Sequence, residues 1–302
     1  MKMLSNLLLS IALLPIRALG RLPLGVSRAL LRPLAPVLER LMGRRMRVVD
    51  RNLALCFPEL GADERRALRR AHCRELTDSL AETALAWCRP GRLDERYGQL
   101  LGLENLRAAQ ATGQGVLMLT AHATCMELGA RLVGEQVRAR AIYRPLRQSV
   151  LEDFQNAGRG RYAEAMIPRD DVRAMIRHLR AGGVLWYAPD QDFGPRRSLF
   201  APFFGLPTAT PTGLIDLARL GRARVVPMYP IKQADGRVRV QFEAAWDDWP
   251  SGDAHADLAR YNALVEHWIR AHPPQYWWLH RRFKTTPPGT PDRYAAASSL
   301  KP

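Results

Sequence analysis

The sequence predicts an α/β fold: a mainly parallel or mixed sheet flanked by helices, preceded by an N-terminal membrane-anchoring helical segment. Three observations carry this expectation. From Gly115 onward, the strand-like runs VLMLT, ARAIY, VLWYA and RVVPMY are separated by helical stretches near 125–135, 148–158, 170–180 and 212–220. Ala62 to Cys88 has the apolar spacing of one long helix, and an apolar run from Leu4 to Leu14 opens the chain. Strands alternating with helices imply crossover connections and a sheet covered on both faces.

Taken in order, the first element is the terminus MKMLSNLLLSIALLPIRALG. The eleven residues from Leu4 to Leu14 are too few for a hydrocarbon core that takes about 20 in a helix. Extended through Gly20, the segment either spans with Arg17 snorkelling or lies in the interface as a monotopic anchor. Lys2 and the apolar run also fit a signal peptide, but no small-residue cleavage site follows, so an uncleaved anchor is expected. Residues 1–51 hold ten Lys or Arg against two acids, Glu39 and Asp50. That flank should lie on an anionic leaflet and place the body in the cytoplasm. The division expected is a membrane anchor and basic flank over 1–45 and one further domain over 46–302.

The helix over Ala62 to Cys88 should bury Leu76, Leu80, Ala84 and Trp87 and turn its charges outward. The alternating region follows. Within it, Pro189 to Pro211 is long for a connection and holds five prolines and four phenylalanines. Such a segment suits the wall of an acyl-binding groove or a surface dipped into lipid; the plainer alternative is a packed hairpin. Arg237 to Ala244 should be a further strand and Leu258 to His272 an amphipathic helix. Of Trp277 and Trp278, one is expected in the core.

The 302 residues are enough for a full core. The formal net charge is +16, so the surface should attract polyanions such as nucleic acid, anionic lipid or an acidic carrier protein. Nucleic acid is disfavoured, because no zinc-finger, RRM-like or basic-zipper pattern is present and the terminus is apolar. The cysteines Cys56, Cys73, Cys88 and Cys125 lack CxxC spacing, which fits neither a zinc site nor a disulfide framework. A Cys125 acyl-enzyme is conceivable, but a buried packing role is the simpler reading.

In LTAHATCMELGARL, His122 precedes Glu127 by five positions. An imidazole and a carboxylate together can accept a hydroxyl proton and hold the resulting charge. On one helix this spacing would separate the side chains by about 140°, so His122 should sit in the turn after a strand and Glu127 in the first turns of the next helix. Thr124 and Glu127 alternatively form a capping box, with His122 merely bonded to backbone.

The blocks RVVDRNLALCFPEL, HATCMELGAR, AIYRPL, GRGR, VLWYAPDQDFGPR and QYWWLHRRFKTTPPG, in this order, resemble the bacterial lipid A late acyltransferases. These are lauroyl and myristoyl transferases within the wider HX4D/E glycerolipid acyltransferase group. The resemblance runs from Arg47 to the carboxyl end. The second Trp of QYWWLH and the loop after Phe193 depart from the family pattern, which bears on selectivity for substrate.

The resemblance implies that His122 is the base and Glu127 its carboxylate, with an essential arginine at Arg159 and an essential aspartate at Asp190. It further implies transfer of a fatty acyl chain from acyl carrier protein, where phosphopantetheine holds it as a thioester, to a hydroxyl of a lipid A precursor. On this reading Glu127 fixes the imidazole, Arg159 binds phosphate or the developing oxyanion, and Asp190 orients Arg159 or the donor. Tyr143 and Arg144 are candidate phosphate or carrier contacts. Asp190 and Asp192 also spell a DxD metal motif, but a sugar-nucleotide transferase would not need the other blocks, so no metal or redox cofactor is expected. Other acceptors (a phosphoinositol mannoside, an ornithine lipid or a polyene lipid) and a non-catalytic lipid-binding role are the alternatives. A monomer on the cytoplasmic face of the inner membrane is expected.

Overall fold

The computed structural model describes residues 9–295. The start of the expected anchor, up to Leu8, lies outside the described residues. Among the described residues, four helices with given bounds lead to the sheet: α1 (Leu14–Leu19), α2 (Leu24–Leu31), α3 (Ala35–Leu41) and α4 (Gly43–Cys56). All four pack on the long helix α5 (Ala62–Cys88). No helix among the described residues is long and apolar enough to cross a membrane.

Helix α5 begins where the Gly61 N–H donates to Glu64 (2.6 Å), and Asp63 and Glu64 lie at its positive end. Its burial differs from the expected single stripe. Leu80 is exposed, whereas Asp78 and Glu82 are buried. Packing on several sides is the reason: Arg28 of α2 meets Glu82 (2.7 Å), and Lys232 meets Asp78 and Glu75 (2.6 Å each). Burial opposes the charge on Asp78, but the bonds from Arg32 and Lys232 outweigh it and hold the carboxyl below its ordinary range.

Next come β1 (Gly98–Leu101), α6 (Leu103–Ala111), β2 (Val116–Leu119), α7 (Met126–Gly134), β3 (Arg140–Tyr143), α8 (Ser149–Arg159), β4 (Ala165–Pro168), α9 (Val172–Arg180) and β5 (Val184–Tyr187). After them follow β6 (Ser198–Phe203), β7 (Leu206–Pro211), α10 (Gly213–Gly221), β8 (Arg224–Lys232), β9 (Val238–Phe242) and α11 (Ala254–Ala271). Seven strands form one sheet in the order β1-β9-β8-β2-β5-β3-β4. Its pairings are parallel except β8 with β9, a mainly parallel mixed sheet as the alternation predicts. All four residues of β2 are buried, as a strand covered on both faces requires.

The strand order positions the site. After β2 the chain crosses by α7 to β3 on one side, and after β5 it crosses by α10 to β8 on the other. Because such crossovers are right-handed, α7 and α10 lie on opposite faces. Helix α5 packs over α7 and α8, while α9 packs on α10. The carboxyl ends of β2 and β5 therefore flank a topological switch point, where α/β sheets open a crevice.

Between Pro189 and Pro211 the structure holds a short 3-10 turn and the antiparallel hairpin β6–β7. Phe203 is buried against Phe204 and Phe283. The segment thus contains the packed hairpin that was the plainer alternative, with Phe193 left exposed. Trp278 is buried and Trp277 half-buried.

Candidate active site

His122 follows β2 and Asp190 follows β5, and these strands are parallel neighbours with Leu119 opposite Tyr187. Each residue stands the same distance past its paired strand end, so the two meet. His122 Nδ1 lies 2.5 Å from Asp190 Oδ1, and the His122 backbone N–H donates to Asp190 Oδ2 at 3.0 Å. The turn is braced on its other side. Trp277 N–H donates to the His122 carbonyl (3.1 Å), and Thr124 N–H donates to the Gln275 carbonyl (2.8 Å). One carboxylate thus fixes both the ring and its backbone.

The Asp190 side chain is 2% exposed, whereas that of His122 is 31% exposed. The carboxylate is sealed and the imidazole reaches the crevice. Burial opposes the charge on His122, but the charge and hydrogen bond of Asp190 prevail and hold the ring above its ordinary value of 6.5. Burial likewise opposes charge on Asp190, and the pairing with His122 holds it below its ordinary range. With the Nδ1 proton directed at Asp190, the neutral ring presents the Nε2 lone pair outward. That is the arrangement of a general base oriented by a buried acid.

Glu127 is placed differently from the expectation. It lies in the first turn of α7 and accepts from Trp87 Nε1 (2.7 Å) and the Tyr162 hydroxyl (2.8 Å), and it is ion-paired with Arg159. The expected contact of Glu127 with the imidazole is therefore corrected. Asp190 holds His122, and Glu127, not Asp190, holds Arg159. The cause is the helical turn: Glu127 projects towards α5 and α8, away from the strand ends. Burial opposes charge on Glu127, and Arg159 with its other donors keeps it ionised and below its ordinary range. Nor does the capping box form, since α7 starts after Cys125 with no side-chain cap.

Arg159 ends α8, and its guanidinium lies over the Trp87 ring (5.7 Å). The preceding glycine permits this approach, because a Cβ at Gly158 would come within 2.5 Å of Trp87. The sequence placed Trp87 only on the packed face of its helix and did not single out Tyr162; each sits one helix or turn away from the motif it serves. The Tyr143 hydroxyl donates to Glu152 (2.9 Å), and burial together with this bond raises its pKa above the ordinary value. Arg144 is exposed beside it.

Asp192 is committed elsewhere, accepting from Gly194 N–H (2.8 Å), Thr285 N–H (2.7 Å) and the Thr285 hydroxyl (2.9 Å). The DxD pair therefore does not converge on one point. Among the described residues no cluster of His, Cys, Asp or Glu is arranged to hold a metal ion. Cys125 is fully buried, and burial raises its thiol well above the ordinary range, so it packs and is no nucleophile.

The model of the family described as bacterial lipid A biosynthesis acyltransferase matches residues 1–285. The chain is similar to a lipid A biosynthesis lauroyltransferase of Escherichia coli (strain K12), 40% identical over 260 residues, with 84% of each chain covered. It is similar to a lipid A biosynthesis palmitoleoyltransferase of the same organism, 36% identical over 253 residues, covering 83% of this chain and 82% of that one. To a lipid A biosynthesis myristoyltransferase, also of Escherichia coli, it is 31% identical over 242 residues, covering 79% and 75%.

Proposed function

Because the chain belongs to the bacterial lipid A biosynthesis acyltransferase family, we propose that the crevice at the His122 and Asp190 strand ends transfers a fatty acyl chain to a hydroxyl of a lipid A precursor. It is an O-acyltransferase. The observation that carries the catalytic reading is the His122 to Asp190 contact of 2.5 Å with Nε2 left to face substrate. His122 Nε2 takes the acceptor hydroxyl proton as that oxygen attacks the thioester carbonyl carbon. The carbonyl electron pair moves to its oxygen, then returns as the C–S bond breaks, and the departing thiolate takes the proton from His122. Asp190 stabilises the imidazolium between these events, and base catalysis of this kind contributes about 10²- to 10⁴-fold.

Arg159, aimed by Glu127 and Trp87, supplies a guanidinium for an anionic group of the substrate; Tyr143 and Arg144 extend that side. The donor is a carrier-bound thioester, acyl carrier protein being acidic where this chain is strongly basic. No metal or redox cofactor takes part in the proposed steps. The protein acts as a monomer on the cytoplasmic face of the inner membrane. In support, α2 and α3 expose Val26, Leu30, Val37 and Leu41, with Leu34 between them, and Arg32, Arg40, Arg44 and Arg45 are exposed beside them. That pattern suits an interfacial face on anionic lipid.

The test is mass spectrometry of membrane lipids with and without the gene. Lipid A lacking one acyl chain in the deletion strain is expected. An unchanged lipid A together with loss of an acylated ornithine or inositol lipid would move the assignment to another acceptor.

A further inference from the structure

His280, at the end of QYWWLH, takes no part in the steps above, yet it is built into the same crevice. Its Nε2 accepts the Asp192 backbone N–H at 2.8 Å, two positions from Asp190. The Asn52 amide holds the carbonyls of both Trp278 and His280 (2.8 Å each). Trp277, on the same strip, holds the His122 carbonyl. The ring is therefore fixed beside the His122 and Asp190 pair.

This anchoring decides the tautomer. A backbone amide only donates, so Nε2 carries the lone pair and the ring proton stands on Nδ1. Burial pushes His280 down to about 4 against the pull of Asp190, so the ring is neutral at physiological pH. Among the described residues Nδ1 has no protein partner, and it is not one of the sealed, unsatisfied nitrogens. Its N–H therefore reaches solvent and is free to donate.

We propose that His280 is a further catalytic residue, a neutral donor whose Nδ1–H hydrogen-bonds the thioester carbonyl oxygen as that oxygen becomes negative; this rests on the acyl-transfer reading. The bond strengthens when the carbonyl pair moves onto oxygen and weakens when the thiolate leaves, and His280 keeps its proton throughout. Neutrality matters here. A second cation beside His122 would oppose formation of the imidazolium, whereas a neutral donor stabilises the oxyanion without that conflict.

The experiment uses the full chain with lauroyl-acyl-carrier-protein and a lipid A precursor. His280→Leu and His280→Asn have nearly the same shape, and both lose the Asp192 bond, but only Asn retains an N–H near the Nδ1 position. His280→Leu should lower kcat by about 10²-fold or more, with KM changed little, and His280→Asn should recover at least about tenfold. Equal kcat for the two variants overturns the proposal. If neither folds, nitrogen NMR of the wild-type ring decides: a neutral Nδ1–H ring at neutral pH is expected, and an Nε2–H or cationic ring overturns it. His122→Ala is measured in parallel. An inactive His122→Ala beside a fully active His280→Leu overturns the role of His280 alone, while an active, folded His122→Ala overturns the underlying reading.

Discussion

At His122 two effects oppose each other, burial lowering its basicity and the Asp190 carboxylate raising it, and the carboxylate wins. Only the neutral ring is a base, so the acid limb of kcat/KM should lie above the ordinary 6.5. Asp190→Asn keeps the shape and removes the charge. The limb should move to lower pH while the plateau falls by about 10²- to 10⁴-fold, and a pH-rate profile in which the limb stays put would contradict the pairing. His122, Glu127, Arg159 and Asp190 were all legible in the sequence as residues. Their pairing was not, because His122 and Asp190 are 68 positions apart and only the strand order brings them together. The five-residue spacing drew attention to Glu127, whose place in the first turn of α7 directs it to Arg159 instead.

Among the elements, α5 shows where a periodic pattern misleads. Its span was legible from its spacing, whereas the burial of Asp78 and Glu82 depends on Arg28, Arg32 and Lys232, which lie far away in sequence. Removing one member of a buried ionic network leaves its partners uncompensated. Lys232→Met should therefore cost about 3 kcal/mol, since Asp78 keeps Arg32. Arg32→Ala, at a side chain 54% exposed, should cost less than about 1 kcal/mol. Urea unfolding of both variants checks this, and equal losses would show that the buried Lys232 is no more important to the network than the exposed Arg32. Because the Asp78 carboxyl is depressed when folded, its contribution is present above the ordinary value of 3.8 and is lost as pH falls through the lower folded value. The strands β1 and β4 escaped the sequence reading because they are short and carry no alternating pattern, and β4 ends in proline at the sheet edge.

At the scale of the whole molecule, exposed apolar residues and arginines concentrate on α2, α3 and the start of α4. Leu30→Glu with Leu34→Glu should abolish co-flotation with anionic vesicles and leave the secondary structure intact; undiminished flotation would remove α2 and α3 from the membrane face. The net charge of +16 should steer a carrier-bound donor, an advantage over the matching coenzyme A thioester that shrinks as salt shortens the Debye length to about 8 Å near physiological ionic strength. Equal kcat/KM for the two donors at low salt would refute steering and leave the chemistry untouched. That chemistry is tested most directly by mass spectrometry of purified wild-type chain and His122→Ala, each given acyl-carrier thioester and lipid A precursor. The wild type should add one acyl group to the precursor and the variant should add almost none. A folded His122→Ala chain that acylates the precursor at the wild-type rate would contradict the account.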